Sequence, residues 1–289
     1  MIPEDKKREV KEYLLALEKP SGGFAFSRTV PSGIEDTYFA IQALDTLGLD
    51  KDYSATREWL AKEKWDSDPT GRVLYYRIRL YKRLALEVPW YRVTAEIEKA
   101  LTGVKGNPRK LDFFGRILAL AQEEGVTWPK LEELLLQEAE KVDRSITTKD
   151  TLESLWRKVR VCMVFGGEMD TQRLLKHLEA CYNPDGGYGC KPHTTSFLEH
   201  IHFAYRLYQA LKYAPHHREE TSAFVLNSQS KRGGFARAPG GVPFIDTTFY
   251  ALRVLRALEE KRKETHSKGV KSMQNLFHID KEGNFPQTR

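Results

Sequence analysis

The sequence predicts an all-α fold, a closed ring of six helix pairs or (α/α)6, on three observations. A glycine-glycine-aromatic segment recurs three times at matched spacing, helical apolar periodicity runs through the chain with no convincing strand pattern, and the helices fall into two alternating classes. The three copies begin at Gly22, Gly186 and Gly233. Laid first glycine on first glycine without gaps, they place Glu35, Glu199 and Asp246 at offset 13, Ala40, Ala204 and Ala251 at offset 18, and Leu44, Tyr208 and Leu255 at offset 22.

In chain order the 3.6-residue pattern gives thirteen helical segments, at 4–18, 35–48, 54–65, 71–86, 90–102, 112–124, 129–142, 149–165, 170–181, 197–213, 216–229, 246–262 and 266–278. Those near 35, 71, 112, 149, 197 and 246 each follow a glycine-, proline- or threonine-rich loop. The other seven follow short turns such as GLDKDYS or YAPHH. Asp112 and Asp150 stand where weaker copies would carry the offset-13 carboxylate, so successive carboxylates lie 77, 38, 49 and 47 residues apart, the first gap being two periods. A period of about 40 built from helix pairs fits an open solenoid or a closed ring, and six pairs favour the ring. Gly283 and Phe285 in the C-terminal EGNFPQTR read as the start of a truncated further unit. The repeat predicts a single domain over 1–289.

Hydrophobic residues make up 40% of the chain, enough for a sizeable core. No apolar stretch reaches the 18 residues of a membrane span, and the charged amphipathic N-terminus lacks the apolar region of a signal peptide. A soluble, cytoplasmic protein without a transmembrane segment is expected. Cys162, Cys181 and Cys190 are odd in number and show no CxxC spacing, so no disulfide framework or all-cysteine metal site is signalled. The net charge of +6 favours anionic partners, but the cations are spread along the helices without a Lys/Arg block, which argues against nucleic acid.

With the offset-13 carboxylate as position 0, the recurrent Ala and Leu at +5, +9 and +12 fall at about 140°, 180° and 120° and form one packing stripe. Opposite it lie +3, with Tyr38, His202 and Phe249; +4, with Phe39, Phe203 and Tyr250; and +7, with Gln42, Arg157, Arg206 and Arg253. In a ring this second face would look into the centre. An aromatic wall suits an apolar or polyene ligand, and arginines beside it suit phosphate, so together they point to an isoprenoid diphosphate. Aromatics that simply fill a ring centre, with arginines solvating its mouth, are the alternative. The paired glycines fit positive φ or close helix approach, and the carboxylates fit helix N-termini, where capping and dipole interactions contribute about 0.5–2 kcal/mol.

Glycine-glycine-aromatic loops entering helices that begin with acidic, Thr and aromatic residues resemble the repeats of the prenyltransferase and terpene-cyclase superfamily, strongly at 22–48, 186–211 and 233–258. The resemblance implies an α/α toroid. It is closest to protein prenyltransferase β subunits, whose GG…KP…His loop is matched by Gly186, Gly187, Lys191, Pro192 and His200. It implies zinc on His200 with Asp150 in catalytic roles, but the cysteine of the family's Asp-x-Cys pair is Leu152 here, leaving Cys190 or His202 as stand-ins. It implies Arg144 as a diphosphate ligand, although the lysine three residues before the aspartate is replaced by Thr147.

A transferase of this kind would use Arg144, Arg157, Arg206 and Arg253 on the leaving diphosphate, and Tyr38, Phe39, Phe203, Phe249 and Tyr250 on the prenyl chain, beside a separate helical partner subunit. Two rivals stand next to it. One is a non-catalytic toroid that binds a lipid or protein, which Leu152 favours. The other is a small terpene-cyclase-like enzyme whose acid is the Glu35/Asp36 pair of GIEDTYFA.

Overall fold

A computed structural model describes residues 2–65, 69–100 and 104–264, with side chains to Glu259. The predicted segment 266–278 and EGNFPQTR lie outside the described residues. Twelve helices and no strands are present among those residues: α1 (Glu4–Leu15), α2 (Ile34–Thr46), α3 (Ser54–Lys62), α4 (Arg72–Arg83), α5 (Trp90–Ala100), α6 (Pro108–Glu123), α7 (Pro129–Glu140), α8 (Leu152–Phe165), α9 (Thr171–Ala180), α10 (Leu198–Ala210), α11 (Arg218–Asn227) and α12 (Ile245–Glu264).

Even-numbered helices pack in sequence, α2 on α4, α4 on α6, α6 on α8, α8 on α10 and α10 on α12, and α12 returns to α2. The ring is therefore closed. These six form the inner wall, and their apolar stripes bury Ala40, Leu44, Ala204 and Ala251 completely.

The repeated loop explains why the glycines recur. Gly22, Gly186 and Gly233 have φ of +92°, +88° and +93°, and a Cβ there would lie 2.1, 2.4 and 2.2 Å from the carbonyl oxygens of Ala55, Glu220 and Glu9. Each first glycine thus seats its loop on the backbone of an odd-numbered helix, α3, α11 and α1 respectively. The aromatics two residues on, Phe24, Tyr188 and Phe235, are buried, and their carbonyls accept hydrogen bonds from the backbone N–H of Gly33, Phe197 and Phe244 just before the next inner helix. Thr37 and Thr248 add side-chain acceptors for the N–H of Phe24 and Phe235, each at 2.9 Å. Gly186→Ala would combine a left-handed backbone with a clash against a carbonyl. It is expected to cost at least about 2 kcal/mol and to lower the melting temperature by several degrees. An unchanged thermal unfolding curve would contradict this account of the loop.

Gly233 rests on Glu9, so α1, which packs on α2, also flanks the loop that leads into α12. The N–H of Ile2 donates to Glu259 Oε1 at 2.8 Å and Lys6 Nζ donates to Gln229 Oε1 at 2.9 Å, fastening the two chain regions. Among the described residues α1 is the sixth outer helix, and the ring closes through the packing of α12 on α2.

Candidate functional site

Glu35, Glu199 and Asp246 are each the second residue of their inner helix. The same rule in α6 and α8 selects Arg109 and Glu153, not the Asp112 and Asp150 that spacing suggests. Caps explain the shift of three residues. The Asn107 side chain accepts from the N–H of Arg109 and Lys110 ahead of Pro108, and Thr151 accepts from Ser154 N–H, so α6 starts earlier and α8 later than a carboxylate count implies. In α4 the first residue, Arg72, takes the same place and pairs with Glu35 at 2.9 Å.

In this register the levels line up around the ring. Position +7 holds Gln42, Arg79, Arg116, Arg160, Arg206 and Arg253. Position +3 holds Tyr38, Tyr75, Asp112, Trp156, His202 and Phe249, and +4 holds Phe39, Tyr76, Phe113, Arg157, Phe203 and Tyr250. All of these except Asp112 and Phe113 line one central cavity, and no other described residue does.

The aromatic level closes on itself. Tyr38 stacks on Tyr76 with centroids 4.4 Å apart, Phe39 meets Phe249 at 5.3 Å and Tyr250 at 5.7 Å, and His202 stacks on Tyr250 at 4.5 Å. The cavity is consequently only about 80 Å³. Burial, then Arg253, Arg206 and Arg157, push the His202 imidazole well below its ordinary value, so it is neutral at pH 7.

One turn further along each helix the chemistry changes. Six arginines line the cavity, and the three levels contain one carboxylate, Asp112, which is fully buried. Arg157 Nη1 donates to Asp112 Oδ2 at 2.5 Å and Arg160 Nε donates to Oδ1 at 3.1 Å. Arg116 donates to the Tyr75 hydroxyl at 2.6 Å with its guanidinium 3.8 Å from that ring's centre, Arg206 lies 4.8 Å over Trp156, and Arg253 lies 5.6 Å from Phe249. Burial lowers the pKa of Arg206 well below its usual value, and Arg253, Arg160 and Arg116 lower it further. Arg79, Arg116, Arg206 and Arg253 nevertheless keep part of their surface open to solvent, and a guanidinium so placed stays charged. The arrangement is a ring of cations set against aromatic rings and facing one cavity.

A family model described as the prenyltransferase alpha-alpha toroid domain matches residues 1–69, 155–205 and 198–288, more than half of the chain. The chain belongs to the prenyltransferase toroid family. No curated protein matches it.

Within this prenyltransferase toroid, the sequence-predicted Tyr38, Phe39, Phe203, Phe249, Tyr250, Arg157, Arg206 and Arg253 are brought together around the centre. Arg144 is not among them: its guanidinium lies against Gly167, and its Nη2 donates to the Ala139 carbonyl at 3.5 Å. Arg79, Arg116 and Arg160 were missed, although the recurrence of an arginine three residues after an aromatic position, as in Phe113/Arg116 and Tyr76/Arg79, would have found two of them.

The donors implied for zinc are not gathered into one cluster among the described residues. Asp150 accepts from Lys158 Nζ at 2.8 Å, from Thr147 N–H at 2.9 Å and from Thr147 Oγ1 at 3.0 Å, so an ammonium already occupies the carboxylate. His200 lies beside Phe197 and is pushed by burial below its ordinary pKa. Cys190 Sγ is 3.5 Å from Thr194 Oγ1, and His202 is at the ring centre. Among the described residues no three His, Cys, Asp or Glu side chains converge as a metal site requires. Glu35 and Asp36 are separately engaged, the first by Arg72 and the second by the backbone N–H of Phe26 at 2.9 Å.

Proposed function

We propose that this prenyltransferase-like toroid binds an isoprenoid diphosphate, with the diphosphate in the arginine ring and the prenyl chain against the aromatic level, as a binding protein that does not transfer the chain through zinc. The observation that carries this reading is the presence of an arginine at the same level of five of the six inner helices. A doubly charged headgroup would relieve their mutual repulsion and accept several forked hydrogen bonds at once.

The aromatic level sets the chain's part. Pockets for drug-sized ligands measure roughly 300–1,000 Å³, whereas this cavity is about 80 Å³. Any prenyl chain must turn aside Phe39, Tyr76, Phe249 or Tyr250, while the arginines need not move. Headgroup recognition therefore dominates, and a short chain is favoured over a long one. The Leu152 side chain at the thiolate position and the Lys158 ammonium on Asp150 support binding without zinc-assisted thiol chemistry.

Titration with inorganic diphosphate, dimethylallyl diphosphate, farnesyl diphosphate and farnesol tests this, together with elemental analysis of protein purified without added zinc or chelator. All three diphosphates are expected to bind, dimethylallyl diphosphate more tightly than farnesyl diphosphate, and farnesol not at all, without stoichiometric zinc. Farnesol bound as tightly as its diphosphate would remove the headgroup reading. One zinc per chain, lost in His200→Ala and accompanied by thiol prenylation, would replace the binding protein with a transferase.

A further inference from the structure

At the level of the ring of cations, Arg79, Arg116, Arg160, Arg206 and Arg253 stand on α4, α6, α8, α10 and α12. The sixth inner helix, α2, places Gln42 there, half-buried and lining the same cavity. The ring of charge is therefore interrupted on one side by a neutral carboxamide. Across the ring from α2 stands α8, whose Arg157 and Arg160 share the Asp112 carboxylate.

The interruption decides how a ligand can join the arginine level to the aromatic level below it. Elsewhere the guanidiniums lie over the aromatic rings: Arg116 is 3.8 Å from the centre of Tyr75, Arg206 4.8 Å from Trp156 and Arg253 5.6 Å from Phe249. On α2 the residue one turn beyond Tyr38 and Phe39, on the same helix face, is Gln42. Phe39 meets Tyr76, Phe249 and Tyr250 at tilted or edge-on angles, with centroids 5.2, 5.3 and 5.7 Å apart. A hydrocarbon laid against a guanidinium strips water from a charge and returns no hydrogen bond, whereas a carboxamide carries no charge to strip. The path of least desolvation between the two levels runs along α2.

We propose that Gln42 is a specificity-determining residue of this site: the ligand is a diphosphate monoester whose uncharged arm leaves the headgroup over Gln42 and descends along α2 beside Phe39. The arginines hold the headgroup, and the amide on α2 lets the hydrocarbon past them. The inference rests on the headgroup reading above and adds to it the side of the ring on which the arm lies and the residue that admits it.

The test compares methyl diphosphate with dimethylallyl diphosphate, which carry the same headgroup and differ only in the length of the arm. Calorimetric titration of each into the full-length wild type, Gln42→Arg and Gln42→Leu gives a ratio of dissociation constants, dimethylallyl over methyl, from which the shared headgroup cancels. Gln42→Arg completes the ring of charge and is expected to raise that ratio at least about tenfold, because the arm must then desolvate a cation. Gln42→Leu is expected to lower it about threefold, because the arm gains apolar contact. A ratio unchanged in both variants would overturn the proposal and leave the headgroup reading standing. Should Gln42→Arg fail to fold, Gln42→Leu decides alone, and an unchanged ratio there overturns it. Absence of binding of both ligands to the wild type would remove the headgroup reading, and this one with it.

Discussion

Asp112→Asn is expected to cost about 3–5 kcal/mol of folding stability. The carboxylate is fully buried at the ring centre and is the acceptor for both Arg157 and Arg160. An amide offers one oxygen to two guanidiniums and no charge, so the variant leaves cations of α8 facing Arg116 of α6 without their shared counter-ion. Equilibrium urea unfolding measures the loss, and a change below about 1 kcal/mol would mean that the pair contributes little net energy.

The same residue predicts a pH dependence. Burial alone would raise the pKa of Asp112, but Arg160, Arg157 and Arg116 outweigh it and lower the value from 3.8 to about 2. A carboxyl depressed in the folded state contributes stability above its unfolded value and loses it as pH falls through the folded one. Wild-type stability should therefore carry a component that disappears between about pH 4 and pH 2 and is missing from the profile of Asp112→Asn.

Arg206→Met should act in the opposite direction, raising stability by about 1–2 kcal/mol. Arg206 is surrounded by Arg253, Arg160 and Arg116, and those neighbours together with burial depress its pKa. Methionine keeps the length of the stem that packs over Trp156 while removing one of the crowded charges. A destabilised Arg206→Met would show that the arginine is held by its surroundings rather than by a demand for positive charge at the centre. A stabilised one would identify a group whose presence the fold itself does not require.

The ring was legible because its punctuation is backbone chemistry. Positive φ at Gly22, Gly186 and Gly233 and close approach to a carbonyl admit only glycine, so that signal survives sequence drift. The weaker copies were misregistered for a physical reason. A carboxylate near a helix start is common, whereas Asn107 and Thr151 set where α6 and α8 begin. The three-residue error hid Arg116 and Arg160 and moved Arg157 from the +4 level to the +7 level. Asp112, read as a helix-terminal acid, proved to be the buried counter-ion of two arginines.

Other features could not be read from one dimension. The contraction of the cavity depends on how rings from α2, α4, α10 and α12 meet across the centre, which no pattern within a single helix records. The capture of Asp150 by Lys158 joins residues eight apart across the start of α8, and Arg144 folds back toward Gly167 instead of toward the centre. Family resemblance supplied expectations for Asp150 and Arg144, and their local contacts decide how each can act.

The most direct measurement is a calorimetric titration of inorganic diphosphate into the wild type and Arg206→Met at physiological ionic strength. An arginine ring built for a phosphorylated headgroup predicts saturable binding near one per chain in the wild type, weakened at least about tenfold by the loss of one charged hydrogen-bond donor, in a variant that folds at least as stably. Absence of saturable heat in the wild type, or equal affinity in the two proteins, would contradict it.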